Sequence, residues 1–99
     1  MTFLPVYSPE ARADLLALYD YSADRAGESV APGYISRIED DLQGFRTFPE
    51  RGTRRDDLRP GLRTVGFGRT LTIAFHIDSP RVVIDRLLYG GRDLGTVFQ

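Results

Sequence analysis

Residues Gly61–Asp93 read GLRTVGFGRTLTIAFHIDSPRVVIDRLLYGGRD, and this stretch decides the fold. Large apolar residues occupy every second position of its central part: Leu71, Ile73, Phe75 and Ile77. A period of two residues is typical of a β-strand with one buried face. Short turns, Gly66–Arg69 and Asp78–Arg81, flank it and fit antiparallel hairpins. We therefore predict three antiparallel strands, Leu62–Phe67, Thr70–Ile77 and Val82–Tyr89.

The chain before this stretch begins with a short apolar segment, TFLPVY, at residues 2–7. Pro5 has no backbone N–H to donate to a neighbouring strand, so we predict a short edge strand with Phe3 or Leu4 facing the core. Ser8, Pro9 and Glu10 then form a typical helix start. We expect this helix to end near Gly27, with one apolar face made of Ala11, Leu15, Leu18, Tyr19 and Ser22.

A second helix is predicted from Ser29 or Val30 to Phe48, because Pro49 pushes the preceding residue out of helical geometry. Its apolar residues share one face at helical spacing: Ala31, Tyr34, Ile35, Ile38, Leu42 and Phe45. The short link around Gly27 implies an antiparallel helical hairpin. Residues 49–61, rich in glycine, proline and charge, connect this hairpin to the strands.

The predicted order is therefore strand, two helices and three strands, an α+β fold. At 99 residues the chain fits a single domain, residues 1–99. One face of the sheet must bury its apolar side chains against the helices. We expect the other face to be partly open, with arginines emerging there and at the strand ends.

Composition excludes several classes of protein. The chain has no cysteine and His76 is its only histidine, so we expect no disulfide, no metal site of the usual kind and no cofactor. No apolar run approaches the roughly 18 residues that span a bilayer, and the first residues lack the pattern of a signal peptide. We expect a cytoplasmic protein without membrane association.

The charge is distributed unevenly although the net charge is only −1. Residues 1–50 hold nine acids and four arginines, a net −5, whereas residues 51–99 hold nine arginines and five acids, a net +4. All thirteen basic residues are arginine, which binds phosphate and carboxylate well but is a poor proton acceptor. Two interpretations remain open for the basic half: a solvated rim of loops, or a contact surface for phosphates or an acidic partner.

Catalytic motifs are weak. His76, Asp78 and Ser79 are near neighbours at a strand end, an arrangement that seldom orients a nucleophile and its base. The segment GFGRTL lacks a third glycine and precedes a strand, so it fits a hairpin turn better than a phosphate-binding loop. Glycines before Arg92 either let this arginine turn back toward the sheet or simply end the strand.

With these elements in order, the chain resembles the ParE branch of the ParE/RelE toxin superfamily of bacterial type II toxin–antitoxin systems. SPEARADLLALYDY resembles the first helix of the family, and YISRIEDDLQGFRTFPERG the second. DDLRPGLRTVGFGRTLTIAFHI and VVIDRLLYGGRD resemble its strands and closing arginine motif. The resemblance implies a helical hairpin on a mainly antiparallel sheet.

The resemblance also implies function. ParE-type toxins poison DNA gyrase, RelE-type relatives cleave messenger RNA on the ribosome, and an antitoxin segment laid over the toxin neutralises either. Arg63 and Arg92 match arginines of the family. If the chain is a nuclease, these two act with a proton carrier from among His76, Tyr89 and the carboxylates, but many relatives have histidine where Tyr89 stands, and the chain has no lysine. We predict target contacts by Arg59, Arg63, Arg69, Arg86, Tyr89 and Arg92.

Three hypotheses follow. The first is a non-enzymatic toxin that binds DNA gyrase, forms a complex with a ParD-like antitoxin and serves plasmid stabilisation. The second is a ribosome-dependent endoribonuclease. The third is a homologue that binds an antitoxin without being toxic. In each case we expect the antitoxin to bind near Leu16, Leu18 and Tyr21.

Overall fold

The computed structural model describes residues 2–68, 70–90 and 94–98. A 3₁₀ turn, Gln43–Arg46, follows the second helix. The remaining elements are β1 (Leu4–Tyr7), α1 (Pro9–Ala26), α2 (Ala31–Leu42), β2 (Thr53–Arg54), β3 (Arg63–Phe67), β4 (Leu71–Asp78), β5 (Arg81–Tyr89) and α3 (Leu94–Val97). The α+β class is confirmed, and the three long strands begin and end within one residue of their predicted limits.

One sheet contains all five strands in the order β1-β5-β4-β3-β2. β3, β4 and β5 are antiparallel neighbours, as predicted, and β1 is an edge strand. β1 lies parallel to β5, with Leu4 opposite Arg81 and Tyr7 opposite Ile84. Neither this parallel pairing nor the two-residue strand β2 inside the charged connection was predicted.

The start of α1 joins the helix to the sheet. The Ser8 hydroxyl oxygen accepts a hydrogen bond from the backbone N–H of Ala11 at 3.0 Å and donates to the carbonyl oxygen of Asp85 at 2.9 Å. The first contact satisfies a free amide of the first turn, and the second fixes that turn on β5. At the other end, Gly27 adopts φ 97°, a conformation that favours glycine.

The second helix ends earlier than predicted. Its α-helical part stops at Leu42 rather than Phe48, and the 3₁₀ turn follows. Gly44 has a low helix propensity, and the tighter turn directs Phe45 into the core, where its ring lies 4.5 Å from that of Phe75. Phe48 lies beyond the turn and is 72% exposed.

The main core lies between the helices and one face of the sheet. Its buried members come from α1, α2, the 3₁₀ turn, β4 and β5: Ala11, Leu18, Ile38, Leu42, Phe45, Leu71, Ile73, Phe75, Val82, Ile84 and Leu87. Phe3 packs against this core whereas Leu4 is exposed, which resolves the choice left open by the sequence. The placement of Tyr19 on the buried face was wrong. The buried stripe of α1 passes through Ala11 and Leu18, and Tyr19 lies about 100° further round the helix, where it is 37% exposed.

The second face of the sheet is more covered than expected. A small cluster of Leu62, Ala74 and Phe98 is buried there, and Leu58, Leu94 and Val97 pack around it. The C-terminal helix α3 therefore shields part of this face. No helix among the described ranges is long and apolar enough to cross a membrane.

The short strand β2 depends on a glycine. Gly52 has φ 78°, and a Cβ at this position would overlap the carbonyl oxygen of Thr64 on β3. We predict that Gly52→Ala lowers the free energy of unfolding by about 1–3 kcal/mol, since it adds a backbone clash to an unfavourable dihedral angle.

Gly61→Ala is the matched control for this prediction. Gly61 has a similar φ of 82°, but a Cβ there would meet nothing within 4 Å. Urea denaturation of both variants separates the clash from the dihedral cost. Equal losses of stability would show that close packing of β2 against β3 does not constrain Gly52.

Candidate binding surfaces

A β-bulge in β5 shapes the polar side of the sheet. The register between β4 and β5 shifts between Ala74 and Phe75, which leaves Asp85 as an extra residue. Bulges redirect side chains, and the Asp85 carboxylate lies 2.7 Å from Nδ1 of His76. Nη1 of Arg59 lies 4.0 Å from the second oxygen of this carboxylate. His76 is therefore held by Asp85, and Asp78 pairs with Arg81 instead.

Asp14 on α1 closes the sheet edge next to this bulge. β1 covers β5 only as far as Ile84. Beyond that point, the Asp14 carboxylate accepts a hydrogen bond from the backbone N–H of Leu87 at 3.0 Å. The same carboxylate accepts two bonds from the Arg86 guanidinium, at 2.7 and 3.0 Å. This bidentate contact raises the pKa of Arg86, which stays protonated, and the Asp14 carboxylate balances its positive charge.

A polar pocket of about 280 Å³ adjoins the Asp85 carboxylate and the Arg86 guanidinium. Its lining includes Glu10, Arg59, Asp85, Arg86 and Phe98. The Arg59 guanidinium lies 4.9 Å from the centre of the Phe98 ring, in the geometry of a cation–π contact. The pocket thus contains charges of both signs that already face one another.

The residues named for a nuclease do not share one site. Tyr89 pairs with Leu71 and packs against the helix-facing core, whereas His76 follows the core residue Phe75 and so points to the opposite face. Five positions of β4 separate them, or about 17 Å along the strand. Arg63 pairs with Phe75 and donates a hydrogen bond to the carbonyl oxygen of Arg51 at 3.5 Å. Arg92 lies outside the described residues.

Three of the five arginines predicted to bind the target lie within the described residues. Arg59 and Arg86 line the polar pocket, Arg63 begins β3, and Arg69 lies outside the described residues, as does Arg92. Aspartates neutralise several other arginines of this half: Arg54 pairs with Asp56, Arg55 with Asp57, and Arg81 with Asp78. Their target contacts stay predictions.

A second pocket lies on the helix side, where α1, α2 and the end of β5 meet. Three tyrosines and two arginines supply most of its lining, and we call it the tyrosine pocket: Tyr21, Tyr34, Tyr89, Arg25 and Arg37. The ring centres of Tyr21 and Tyr89 are 4.8 Å apart. The Arg25 guanidinium lies 4.8 Å from the Tyr21 ring centre, and that of Arg37 lies 5.9 Å from the Tyr34 ring centre.

The phenols of Tyr21 and Tyr34 stay neutral. A hydrogen bond with Tyr89 raises the pKa of Tyr21, and burial raises the pKa of Tyr34, each above the ordinary value of 10.0. Neither Arg25 nor Arg37 forms an ion pair within the part of the chain that the structure describes. The pocket therefore carries two positive charges, each above an aromatic ring, that take part in no ion pair within the described residues.

An apolar groove adjoins the tyrosine pocket and shares two of its residues. We call it the α1 groove, and it is lined by Asp14, Ala17, Leu18, Tyr21, Leu87 and Tyr89. Of the residues predicted to bind an antitoxin, Leu18 forms the buried floor and Tyr21 a wall. Leu16 is 65% exposed and does not line the groove. Antitoxin binding by these three residues stays a prediction.

Sequence reasoning missed the residues that organise these surfaces. Asp14, Asp85, Arg25, Arg37 and Tyr34 were not proposed as site residues. The position of Asp14 could have been recognised from the sequence, because it lies three residues after Ala11 and four before Leu18, on the same side of α1 as these buried residues. An acid in that position requires a partner. No group of three or more histidine or acidic side chains in the described residues could hold a metal ion.

Comparison with known proteins identifies the family. The model of the ParE toxin of the type II toxin–antitoxin system parDE matches residues 6–94. Toxin ParE3 of Caulobacter vibrioides is 33% identical over 81 residues, which are 82% of this chain and 80% of that toxin. The chain belongs to the ParE toxin family of type II toxin–antitoxin systems.

Solved structures agree on the fold. The chain is similar to one from the chromosomal ParDE toxin–antitoxin system of P. aeruginosa, with a TM-score of 0.77, 22% identity and coverage of 90% of this chain and 97% of the other. A chain of the RelBE2 toxin–antitoxin complex of Mycobacterium tuberculosis gives a TM-score of 0.59, 20% identity and coverage of 90% and 99%. The helical hairpin on a five-stranded sheet is thus common to both kinds of system.

Proposed function

We propose that this toxin acts by binding DNA gyrase in the cytoplasm and is held inactive by a ParD-like antitoxin. Family membership supports the choice of gyrase and of the antitoxin class. The observation that carries a binding mechanism is the separation of His76 from Tyr89, which point to opposite faces of the sheet. The nuclease hypothesis names either of them as a proton carrier, beside Arg63 and Arg92.

The chemistry of RNA cleavage explains why this separation matters. Attack by a 2′-hydroxyl requires one group to accept its proton and another to protonate the leaving oxygen. Arginine stays protonated and serves neither purpose well. His76 and Tyr89 are the described proton carriers among the nuclease positions, and one phosphate cannot contact both. Binding without bond cleavage requires no such pair.

The helix side offers the surface for an antitoxin. The α1 groove combines a buried apolar floor with the partly exposed ring of Tyr21, and the tyrosine pocket continues it. Apolar grooves of this kind receive the apolar side chains of an extended or helical segment. A ParD-like antitoxin that covers the groove would form a hetero-oligomer with the toxin.

Gyrase supercoiling tests the proposal. Purified toxin at micromolar concentration should inhibit the supercoiling of relaxed plasmid or trap cleaved DNA. Relaxation of the same plasmid by a type I topoisomerase is the control, and it should be unaffected because the toxin acts on gyrase and not on DNA. Full gyrase activity at micromolar toxin would contradict the proposal.

A further inference from the structure

The tyrosine pocket has the chemistry of a site for one anionic group. Arg25 and Arg37 approach it from α1 and α2, and each guanidinium lies over a tyrosine ring that holds it in place. The ion pairs that neutralise Arg54, Arg55, Arg81 and Arg86 elsewhere have no counterpart here. Thr70 adds a hydroxyl to the lining. Two exposed cations above apolar rings would bind a carboxylate and the carbon atoms that carry it.

We propose that the tyrosine pocket binds the carboxylate side chain of an acidic residue in the antitoxin segment that occupies the α1 groove. The inference rests on the antitoxin part of the proposed function and is independent of gyrase. It assigns Arg25 and Arg37 as the residues that recognise the partner's charge. Tyr21 and Tyr89 line both cavities. They therefore lie between the part of the surface that binds apolar side chains and the part that binds the acid.

The surrounding charge favours a peptide over a nucleic acid. Residues 9–42 hold eight acids and three arginines, a net −5. A polyanionic backbone that runs past the pocket would meet this negative field at every phosphate. A peptide with one acid among apolar residues places a negative charge only at the two arginines. The negative electrostatic potential around the two helices therefore favours a partner that carries a single acid over one that carries many negative charges.

The geometry sets the spacing between the acid and its apolar neighbours. Leu18 on the groove floor and Arg25 at the pocket are seven residues apart on α1, or about 10 Å along the helix axis. An extended partner covers that distance in about three residues and a helical partner in about seven. The expected partner motif is therefore an acid three or seven positions from a large apolar residue.

Selection of peptides from a random twelve-residue display library tests the inference. The library is selected on the wild-type toxin, on the double variant Arg25→Gln with Arg37→Gln, and on Arg12→Gln. Arg12 is an exposed arginine on α1 that lines neither cavity, so this third protein is the matched control. Binders of the wild type and of Arg12→Gln should be enriched in the acid-plus-apolar motif, and the double variant should lose that enrichment.

Fluorescence anisotropy with the peptide that binds most tightly measures how much each substitution weakens binding. Each arginine substitution should weaken binding about tenfold, as should replacement of the peptide's acid by its amide, while Arg12→Gln changes affinity less than twofold. Matching circular dichroism spectra and melting temperatures would show that all variants fold. Binders without enriched acids, a selection without binders, or acids that bind the double variant equally would overturn the inference.

A nucleic-acid ligand would also be detected. A labelled twelve-residue thymidine oligonucleotide serves as the probe, and we expect no binding that depends on Arg25 and Arg37. Oligonucleotide binding that the double variant abolishes would assign the pocket to nucleic acid and overturn the inference. Because none of these assays contains gyrase, failure of gyrase inhibition leaves their outcome unaffected.

Discussion

Phe45→Ala should lower the free energy of unfolding by about 3–5 kcal/mol, the largest effect we expect from a single substitution. Phe45 is completely buried, and its ring lies 4.5 Å from that of Phe75. The Arg51 guanidinium also lies 4.5 Å from the Phe45 ring centre. Truncation to alanine would leave a cavity between the helical hairpin and the sheet and remove both ring contacts.

Phe48→Ala is the control for this prediction, since Phe48 lies three residues further along and is 72% exposed. Its truncation should change the unfolding free energy by less than about 0.5 kcal/mol. Urea denaturation followed by circular dichroism measures both variants. Equal effects would mean that Phe45 does not anchor the hairpin to the sheet as described.

Asp14→Ala should lower the free energy of unfolding by about 2–4 kcal/mol, the second largest effect that we expect. The substitution leaves the Arg86 guanidinium without its bidentate partner and the backbone N–H of Leu87 without an acceptor. The side chains of Asp14 and Arg86 are only 13% and 21% exposed, so water replaces these contacts incompletely. The free edge of β5 would also lose its cover.

Two further variants separate the parts of this effect. Asp14→Asn keeps an oxygen that can accept the bond from Leu87 but loses the charge, so we expect an intermediate cost. Asp20→Ala removes an exposed aspartate from the same helix and should change stability by less than about 0.5 kcal/mol. If Asp14→Ala and Asp20→Ala destabilise equally, Asp14 does not fix α1 on β5.

Local patterns predicted most of the elements correctly. The Ser8 cap and the alternation in β4 are encoded by neighbouring residues, and both are present in the structure. The end of α2 was missed because its position is decided by packing of Phe45 on Phe75, thirty positions later in the sequence. β2 was missed because a strand of two residues in a charged loop is too short to show an alternation of apolar and polar residues.

The candidate surfaces were harder to predict because their contacts are long-range. Asp14 and Arg86 are 72 residues apart, and the bulge that turns Asp85 toward His76 is marked in the sequence only by two consecutive polar residues, Asp85 and Arg86. Of the arginines that were considered as one basic surface, Arg54, Arg55 and Arg81 form local ion pairs in the described residues, whereas Arg59 and Arg86 line the polar pocket. The unpaired cations Arg25 and Arg37 lie in the half of the chain with net negative charge, where composition gave no reason to expect them.

One culture that expresses the toxin without antitoxin tests the central claim most directly. Chromosomal DNA is examined by pulsed-field electrophoresis and translated messages by primer extension, both from the same samples. Binding to gyrase predicts broken chromosomal DNA with intact messages. New cuts in translated messages with an intact chromosome would contradict the account, as would normal growth with neither kind of damage.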